Sequence, residues 1–138
     1  MFTVRLAYEG DIPQIKKISN QNRRFLGFTV QAIWRSSITR KELYVATSDK
    51  NVIGFIRWYL RKDGWTTVYE LAVDEGYRRQ GIGKKLMEVA GMGPVKLKCH
   101  SANPAKSFYR ALGFEIQSTE ISKTGKPIDF LTRLKAAG

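Results

Sequence analysis

Val68-Tyr-Glu-Leu-Ala-Val-Asp-Glu-Gly-Tyr-Arg-Arg-Gln-Gly-Ile-Gly-Lys-Lys-Leu-Met87 is the stretch whose reading decides the fold. It opens as a strand, passes through a glycine-bearing loop and runs straight into a helix. The first N–H groups of a helix have no partners within it, and the helix dipole adds partial positive charge at that end. Gly81 and Gly83 put no Cβ between an anion and the backbone. Arg78, Arg79 and Lys84 add full charges, so the segment is suited to an anion. Two nucleotide-binding readings fail on spacing. Gly-x-x-x-x-Gly-Lys-Ser/Thr is absent, and Gly-x-Gly-x-x-Gly breaks because position 86 is Leu. Gly-x-Gly alone also serves tight packing of a helix on a strand.

Outward from this stretch the chain reads as alternating elements. Phe2 to Tyr8 alternates apolar and polar residues and predicts a strand. Asp11 is placed to cap a helix with Pro13 in its first turn and Ile12, Ile15 and Ile18 along one face. Asn20 to Phe28 reads as a loop, and Thr29 as the cap of a second helix ending near Ile38. Leu43 to Thr47 and Val52 to Leu60 form a hairpin about Ser48–Asn51, and Trp65 to Val73 is the next strand. The central helix runs to about Ala90 and is stopped by Gly91-Met-Gly-Pro94. Val95 to His100 is a strand, Asn103 opens a short helix closed by Leu112-Gly113, and Glu115–Ile121 pairs with Pro127–Leu134. The order βααβββαβαββ predicts an α/β (α+β) sandwich on a partly antiparallel sheet.

The chain has 138 residues, which predicts one domain spanning 1–138. Its single cysteine, Cys99, excludes an internal disulfide framework. No apolar run has the length of a signal peptide or a membrane helix, so the expectation is a soluble cytoplasmic protein without a membrane partner. Lys and Arg total 24 against 12 Asp and Glu, a net charge of +12 that favours a polyanionic partner. The cations lie in dispersed pairs, as in Arg23-Arg24, Arg78-Arg79 and Lys84-Lys85, so charge alone does not choose between nucleic acid, an anionic membrane surface and a phosphorylated cofactor.

Arg78-Arg79-Gln80-Gly81-Ile82-Gly83 resembles the Arg/Gln-x-x-Gly-x-Gly/Ala signature of the GNAT N-acetyltransferase superfamily. Leu71-Ala-Val-Asp74 and Tyr77 are typical of the approach to it. Asn103-Pro-Ala-Lys-Ser-Phe-Tyr-Arg-Ala-Leu-Gly-Phe114 looks like a second stretch of the same family, and together these cover Val68 to Phe114. The resemblance implies a three-layer GNAT-type fold with a mixed sheet whose fourth and fifth strands splay. It implies acetyl-CoA (CoA) as cofactor, an amine acceptor as partner, and direct attack of the amine on the thioester.

Residue by residue, the resemblance implies that pantetheine pairs with the backbone of Leu71, Ala72 and Val73. The pyrophosphate would meet the loop formed by Arg78, Arg79, Gln80, Gly81, Ile82, Gly83 and Lys84. Asn103 would lie by the pantetheine arm or cap the following helix. Lys106 would reach the phosphates or face solvent. Tyr109 matches the family tyrosine near the thioester sulfur, where a phenol serves the departing thiolate; otherwise it is a core aromatic. Glu70 is the candidate base, directly or through water, because it is the carboxylate inside that strand before Asp74. Its alternative is an ion pair across the sheet with Arg57 or a neighbour. Alternation puts Glu70 and Ala72 on one face and Tyr69, Leu71 and Val73 on the other, and a bulge would break that parity. Cys99 and His100 point to opposite faces of a strand and form no dyad. No metal-ligand spacing is present. The acceptor is expected over Arg23–Phe28, the turn before Trp65 and the hairpin around Lys123–Lys126, with an acidic or neutral flank. The competing expectations are a GNAT-fold acyl-CoA-binding protein without catalysis and a basic nucleic-acid-binding domain. Either a monomer or a homodimer fits.

Overall fold

The computed structural model describes residues 1–90 and 93–134. These form β1 (Thr3–Leu6), α1 (Ile12–Gln21), α2 (Arg23–Leu26), α3 (Gln31–Thr39), β2 (Leu43–Ser48), β3 (Asn51–Leu60) and β4 (Thr66–Val73). They continue with α4 (Ile82–Ala90), β5 (Val95–His100), α5 (Lys106–Ala111), β6 (Glu115–Ile121) and β7 (Pro127–Arg133). The described strands make one mixed sheet in the order β1-β2-β3-β4-β5-β7-β6. Every neighbouring pair is antiparallel except β4 and β5, which are parallel. The crossover between those two runs through α4, as parallel strands require.

Each face of the sheet has its own core, giving three layers. On one face Ile82, Leu86 and Met87 of α4 meet Ile53, Ile56, Val68, Leu97 and Leu131. On the other, Ile12, Ile15 and Ile18 of α1 and Trp34 of α3 meet Val45, Phe55 and Ala72. The apolar spacing seen in the sequence of α1 is thus its buried stripe.

The first connection differs from expectation. The segment read as a loop, Asn20 to Phe28, holds the last two residues of α1 and the one-turn helix α2. Asn22 makes this break locally. Its side-chain amide donates to the Ile18 carbonyl at 2.9 Å, while its own carbonyl accepts from Phe25 and Leu26 at 3.0 and 2.9 Å. Gly27 then ends α2 at φ +73°, a left-handed value suited to glycine. Thr29 is not the cap of α3: Val30 holds that place, with no side-chain cap. Of the expected stop after α4, Gly91 and Met92 lie outside the described residues, as do residues 135–138.

The sheet opens in the middle. β4 and β5 stay in register only at Thr66↔Val95, Thr67↔Lys96 and Val68↔Leu97. Beyond that, Glu70 to Val73 remain with β3 and Lys98 to His100 remain with β7. A bulge marks the parting: Trp58 opposes Val68 and Arg57 opposes Glu70, so Tyr69 is the extra residue. Its effect on parity is visible in the packing. Val68, Leu71 and Val73 pack on the α4 face, whereas Glu70 and Ala72 turn toward α1 and α3.

Candidate functional site

The gap between the parted strands continues into a cavity of about 410 Å³. Val68–Leu71 of β4 and Leu97–His100 of β5 form its walls. Asn22 and α2, through Phe25 and Leu26, close one side; Asn103, Ala105 and Tyr109 close another. Glu120–Ser122, Ile128 and Phe130 come from the β6–β7 hairpin. The expected acceptor segments are partly present. Phe25 and Leu26 fall within the Arg23–Phe28 stretch, and the hairpin contributes residues just before the expected Lys123–Lys126. The turn before Trp65 is not part of the wall.

Glu70 stands on the β4 wall, 3% exposed. Its Oε1 accepts from Arg57 Nε at 2.6 Å and from Trp34 Nε1 at 3.1 Å. The pair with Arg57 was legible across the hairpin; the Trp34 contact, from a helix 36 residues away, was not. Its Oε2 is buried without a hydrogen-bond partner among the described residues. A buried carboxylate oxygen in that state is costly unless something else meets it.

Tyr109 lines the same cavity from α5, 7% exposed, with its ring against Phe108 and Phe114 at centroid distances of 5.3 and 5.7 Å. Burial, and then the neighbouring Cys99, push its phenol above the ordinary value, so it stays protonated in neutral solution. Cys99 also lines the cavity. Burial raises its thiol, Asp129 raises it further, and Lys106 counters. His100 is set edge-on to Phe25 at 6.1 Å.

Around the cavity the remaining expected residues divide. Leu71 and Asn103 line it, and Asn103 Oδ1 also accepts from the Ala105 N–H at 2.9 Å, so it shapes the turn into α5. Ala72 is buried and Val73 half-buried, with their backbones on the stretch of β4 that has left β5. Arg78 lies across the loop: its Nε donates to the Val73 carbonyl at 3.3 Å and its Nη2 to Asn22 Oδ1 at 3.0 Å. It thereby ties the loop to the start of α2. Arg79 at φ +65° and Gly81 at φ +80° turn the chain so that it enters α4. The first bond of that helix runs from Lys85 N–H to the Gly81 carbonyl at 3.1 Å, so the N–H groups of Ile82, Gly83 and Lys84 precede it. A Cβ on Gly83 would come 3.2 Å from Phe108 Cζ, so this glycine is where α4 meets α5. Gln80 and Lys84 belong to the same loop and first turn.

Lys106 is engaged inside the fold. Its Nζ lies 2.7 Å from Asp129 Oδ2 and donates to the Ser101 carbonyl at 3.2 Å. Asp129, 2% exposed, also accepts from Ser101 Oγ at 2.8 Å and Thr119 Oγ1 at 2.7 Å. Nothing in the sequence singled out Asp129, whose side-chain partners come from α5, from β6 and from the residue just after β5. Among the described residues no group of His, Cys, Asp and Glu is arranged to hold a metal, and no helix is long and apolar enough to cross a membrane.

The profile of the family described as "Acetyltransferase (GNAT) domain" matches residues 39–116, more than half of the chain. No curated protein matches the chain by sequence. Among solved structures, Ard1 from Thermoplasma volcanium is similar at 23% identity and TM-score 0.87, over 97% of this chain and 97% of that one. N-acetylglutamate synthase from Neisseria gonorrhoeae, complexed with coenzyme A and N-acetyl-glutamate, is similar at 18% identity and TM-score 0.80, over 98% of this chain and 35% of that one. A GNAT-family acetyltransferase from Bacillus cereus is similar at 19% identity and TM-score 0.76, over 98% of each chain. At these identities the structures share the fold with this chain, and the profile match carries the family. The strand–loop–helix of Val68 to Met87, the parting of β4 from β5 and the matched residues 39–116 therefore agree: this chain belongs to the GNAT acetyltransferase family.

Proposed function

We propose that this protein transfers the acetyl group of acetyl-CoA to an amine. The observation that carries the reading is the cavity at the parted strands, with an unpartnered buried oxygen of Glu70 on one wall and Tyr109 on another. The residues present fit the cofactor. The backbone of Leu71, Ala72 and Val73, released from β5, offers N–H and C=O groups to the amides of a pantetheine arm, which must be satisfied when buried. The loop from Arg79 to Lys84 offers helix N–H groups and charge to a pyrophosphate. Arg78 braces that loop against Asn22, and Asn103 shapes the turn beside the arm. The N-acetylglutamate synthase similar to this chain was solved with coenzyme A, which supports the same choice.

Acetyl-CoA supplies an acyl thioester. In the transfer a C–N bond forms to the amine and the C–S bond breaks. Glu70 takes the proton that the amine must lose, directly or through water, because alkyl amines are mostly protonated near neutral pH. Tyr109 gives its proton to the departing thiolate and recovers one from the nitrogen of the tetrahedral intermediate, which must shed its second proton to leave a neutral amide. A backbone N–H near Leu71 to Val73 meets the negative charge that develops on the acyl oxygen. The acceptor enters between α2 and the β6–β7 hairpin. The cations Arg23 and Arg24 stand on α2, held over the rings of Phe28 and Phe25 at 5.4 and 5.2 Å. They favour an acceptor with an acidic or neutral flank over a polycation.

The test is a panel of amines with acetyl-CoA, read by thiol release, beside a thermal-shift titration with CoA. The expected result is a rise in melting temperature with CoA, as linkage requires of a ligand of the native state, and turnover of at least one amine. A thermal shift without turnover of any amine leaves an acyl-CoA-binding protein without catalysis. Absence of a shift at millimolar CoA, with a salt-sensitive mobility shift on DNA or RNA, overturns the reading in favour of nucleic acid.

A further inference from the structure

We propose that the Lys106–Asp129 pair is a positioning device for transfer: it fixes α5, and with it the Tyr109 hydroxyl, against the β6–β7 hairpin, and Lys106 is not a ligand of the cofactor's phosphates. The proposal rests on the acetyl-transfer reading above.

α5 is six residues long. Isolated helices shorter than about 12–15 residues are marginal in water, so its place is set by its anchors. Its N-cap residue, Ala105, offers no side-chain cap, and Tyr109 is its buried residue. β7 holds it at both ends. Lys106, the first residue, meets Asp129 Oδ2 at 2.7 Å. At the far end Arg133 Nη1 donates to the Leu112 carbonyl at 3.3 Å. The same Asp129 carboxylate gathers Ser101 after β5 and Thr119 on β6, the residue before the cavity-lining Glu120 and Ile121. One carboxylate thus links the strand that meets the acceptor, the end of the parted strand and the helix that carries the acid. Three residues, just under one turn, separate Lys106 from Tyr109, so at i and i+3 they lie on one side of the helix. A shift of that side on the scale of 1 Å is enough to spoil transfer, since misplacement of this size costs about 100-fold in rate.

Two variants and two readouts decide it. Lys106→Met removes the cation and keeps an unbranched chain; Lys106→Arg keeps the charge. In single turnover at saturating acetyl-CoA and amine, Lys106→Met is expected to be about 10- to 100-fold slower, with the Kd for CoA within about threefold of the parent, and Lys106→Arg to recover most of the rate. The second readout needs no turnover. Cys99 is the chain's single cysteine and lines the cavity. Its alkylation by iodoacetamide in the folded, cofactor-free protein reports how closely α5 seats. Loss of the Lys106 cation alone raises the thiol's pKa and slows alkylation. Faster alkylation of folded Lys106→Met therefore reports access, and that is the expected direction.

A Kd for CoA raised tenfold or more, with the saturated rate preserved, makes Lys106 a phosphate ligand and overturns the proposal. A saturated rate lowered only by the fraction of protein unfolded, with alkylation unchanged or slower, overturns it as well. If the parent protein turns over no amine, the transfer reading fails by itself, and the alkylation rate still decides whether the pair seats α5.

Discussion

Gly81 offers the sharpest test of where the cofactor's phosphates lie, because the structure separates steric cost from charge at that position. Its φ is +80°, and a Cβ built there meets nothing within 4 Å. Gly81→Ala and Gly81→Glu therefore share one cost, the strain of an L-residue in left-handed backbone, about 1–2 kcal/mol. Against a typical reserve of about 5–15 kcal/mol, both variants fold. Each loses roughly 4–8 °C in melting temperature. The Glu side chain differs by a full negative charge at the start of α4. At about 4 Å from another anion it is repelled by about 1 kcal/mol at the dielectric of water and about 4 kcal/mol near a protein surface. That range corresponds to roughly 5- to 700-fold in affinity.

The comparison is the Kd for CoA of Gly81→Glu against Gly81→Ala, by calorimetry at low salt. A gap of at least tenfold is expected, shrinking as salt is raised toward 1 M, where screening acts within about 3 Å. Equal affinities for the two folded variants at low salt would refute the assignment of the pyrophosphate to this loop. A gap that does not respond to salt would point to steric obstruction instead.

Tyr109→Phe is expected to lower the single-turnover rate by about 10²–10⁴-fold while changing CoA affinity little, since in the proposed mechanism the hydroxyl acts on a charge that develops only in the transition state; a full single-turnover rate returns Tyr109 to a packing role. Glu70→Gln leaves the half-buried Arg57 guanidinium without its counter-ion and is expected to cost about 3–5 kcal/mol in denaturant unfolding; turnover per folded molecule should fall as well, and a normal rate per folded molecule removes Glu70 from proton transfer. Asp129 is held down to about 2, first by Lys106 and then by the Thr119 hydroxyl. A folded-state value below the ordinary one of about 3.9 contributes stability that is present above pH 4 and lost as pH falls toward 2. Acid unfolding followed by circular dichroism should show that loss in the parent and a smaller one in Asp129→Asn, and identical acid profiles would contradict it.

What could be read from the sequence was what neighbours in sequence decide. The alternation of Val68 to Val73, the glycines at 81 and 83 and the isoleucine stripe of α1 act over one or two turns of chain, and each became the element expected. Gly81 in particular needed no tertiary contact to be recognisable, since its left-handed turn is a property of its own backbone. α2 escaped because its maker is the Asn22 side chain bonding back to Ile18, a choice between turn and helix that residues of this type leave open. The cap at Thr29 failed for a related reason: a hydroxyl in front of a helical pattern permits a cap without placing one.

The candidate site was legible where it is built on backbone and obscure where it depends on side-chain partners. The bulge at Tyr69 is fixed by how β3 pairs with β4, since an extra residue exists only relative to the strand opposite. Without it, Val68 and Glu70 would share a face; with it, Val68 packs on α4 while Glu70 turns to Trp34 and Arg57. Lys106 shows the same limit from the other side. In sequence it is one cation among 24, and a surface or phosphate role suits any of them. Its ion pair depends on Asp129, which lies on β7 and reaches α5 because β7 inserts between β5 and β6 in the sheet. That insertion also brings Ser101 and Thr119 to one carboxylate. The sheet order in which β4 parts from β5 is thus the same order that gives α5 its anchor. A variant that disturbs the β5–β7 pairing should therefore lose both the cavity wall and the seating of Tyr109, since both depend on where β7 lies.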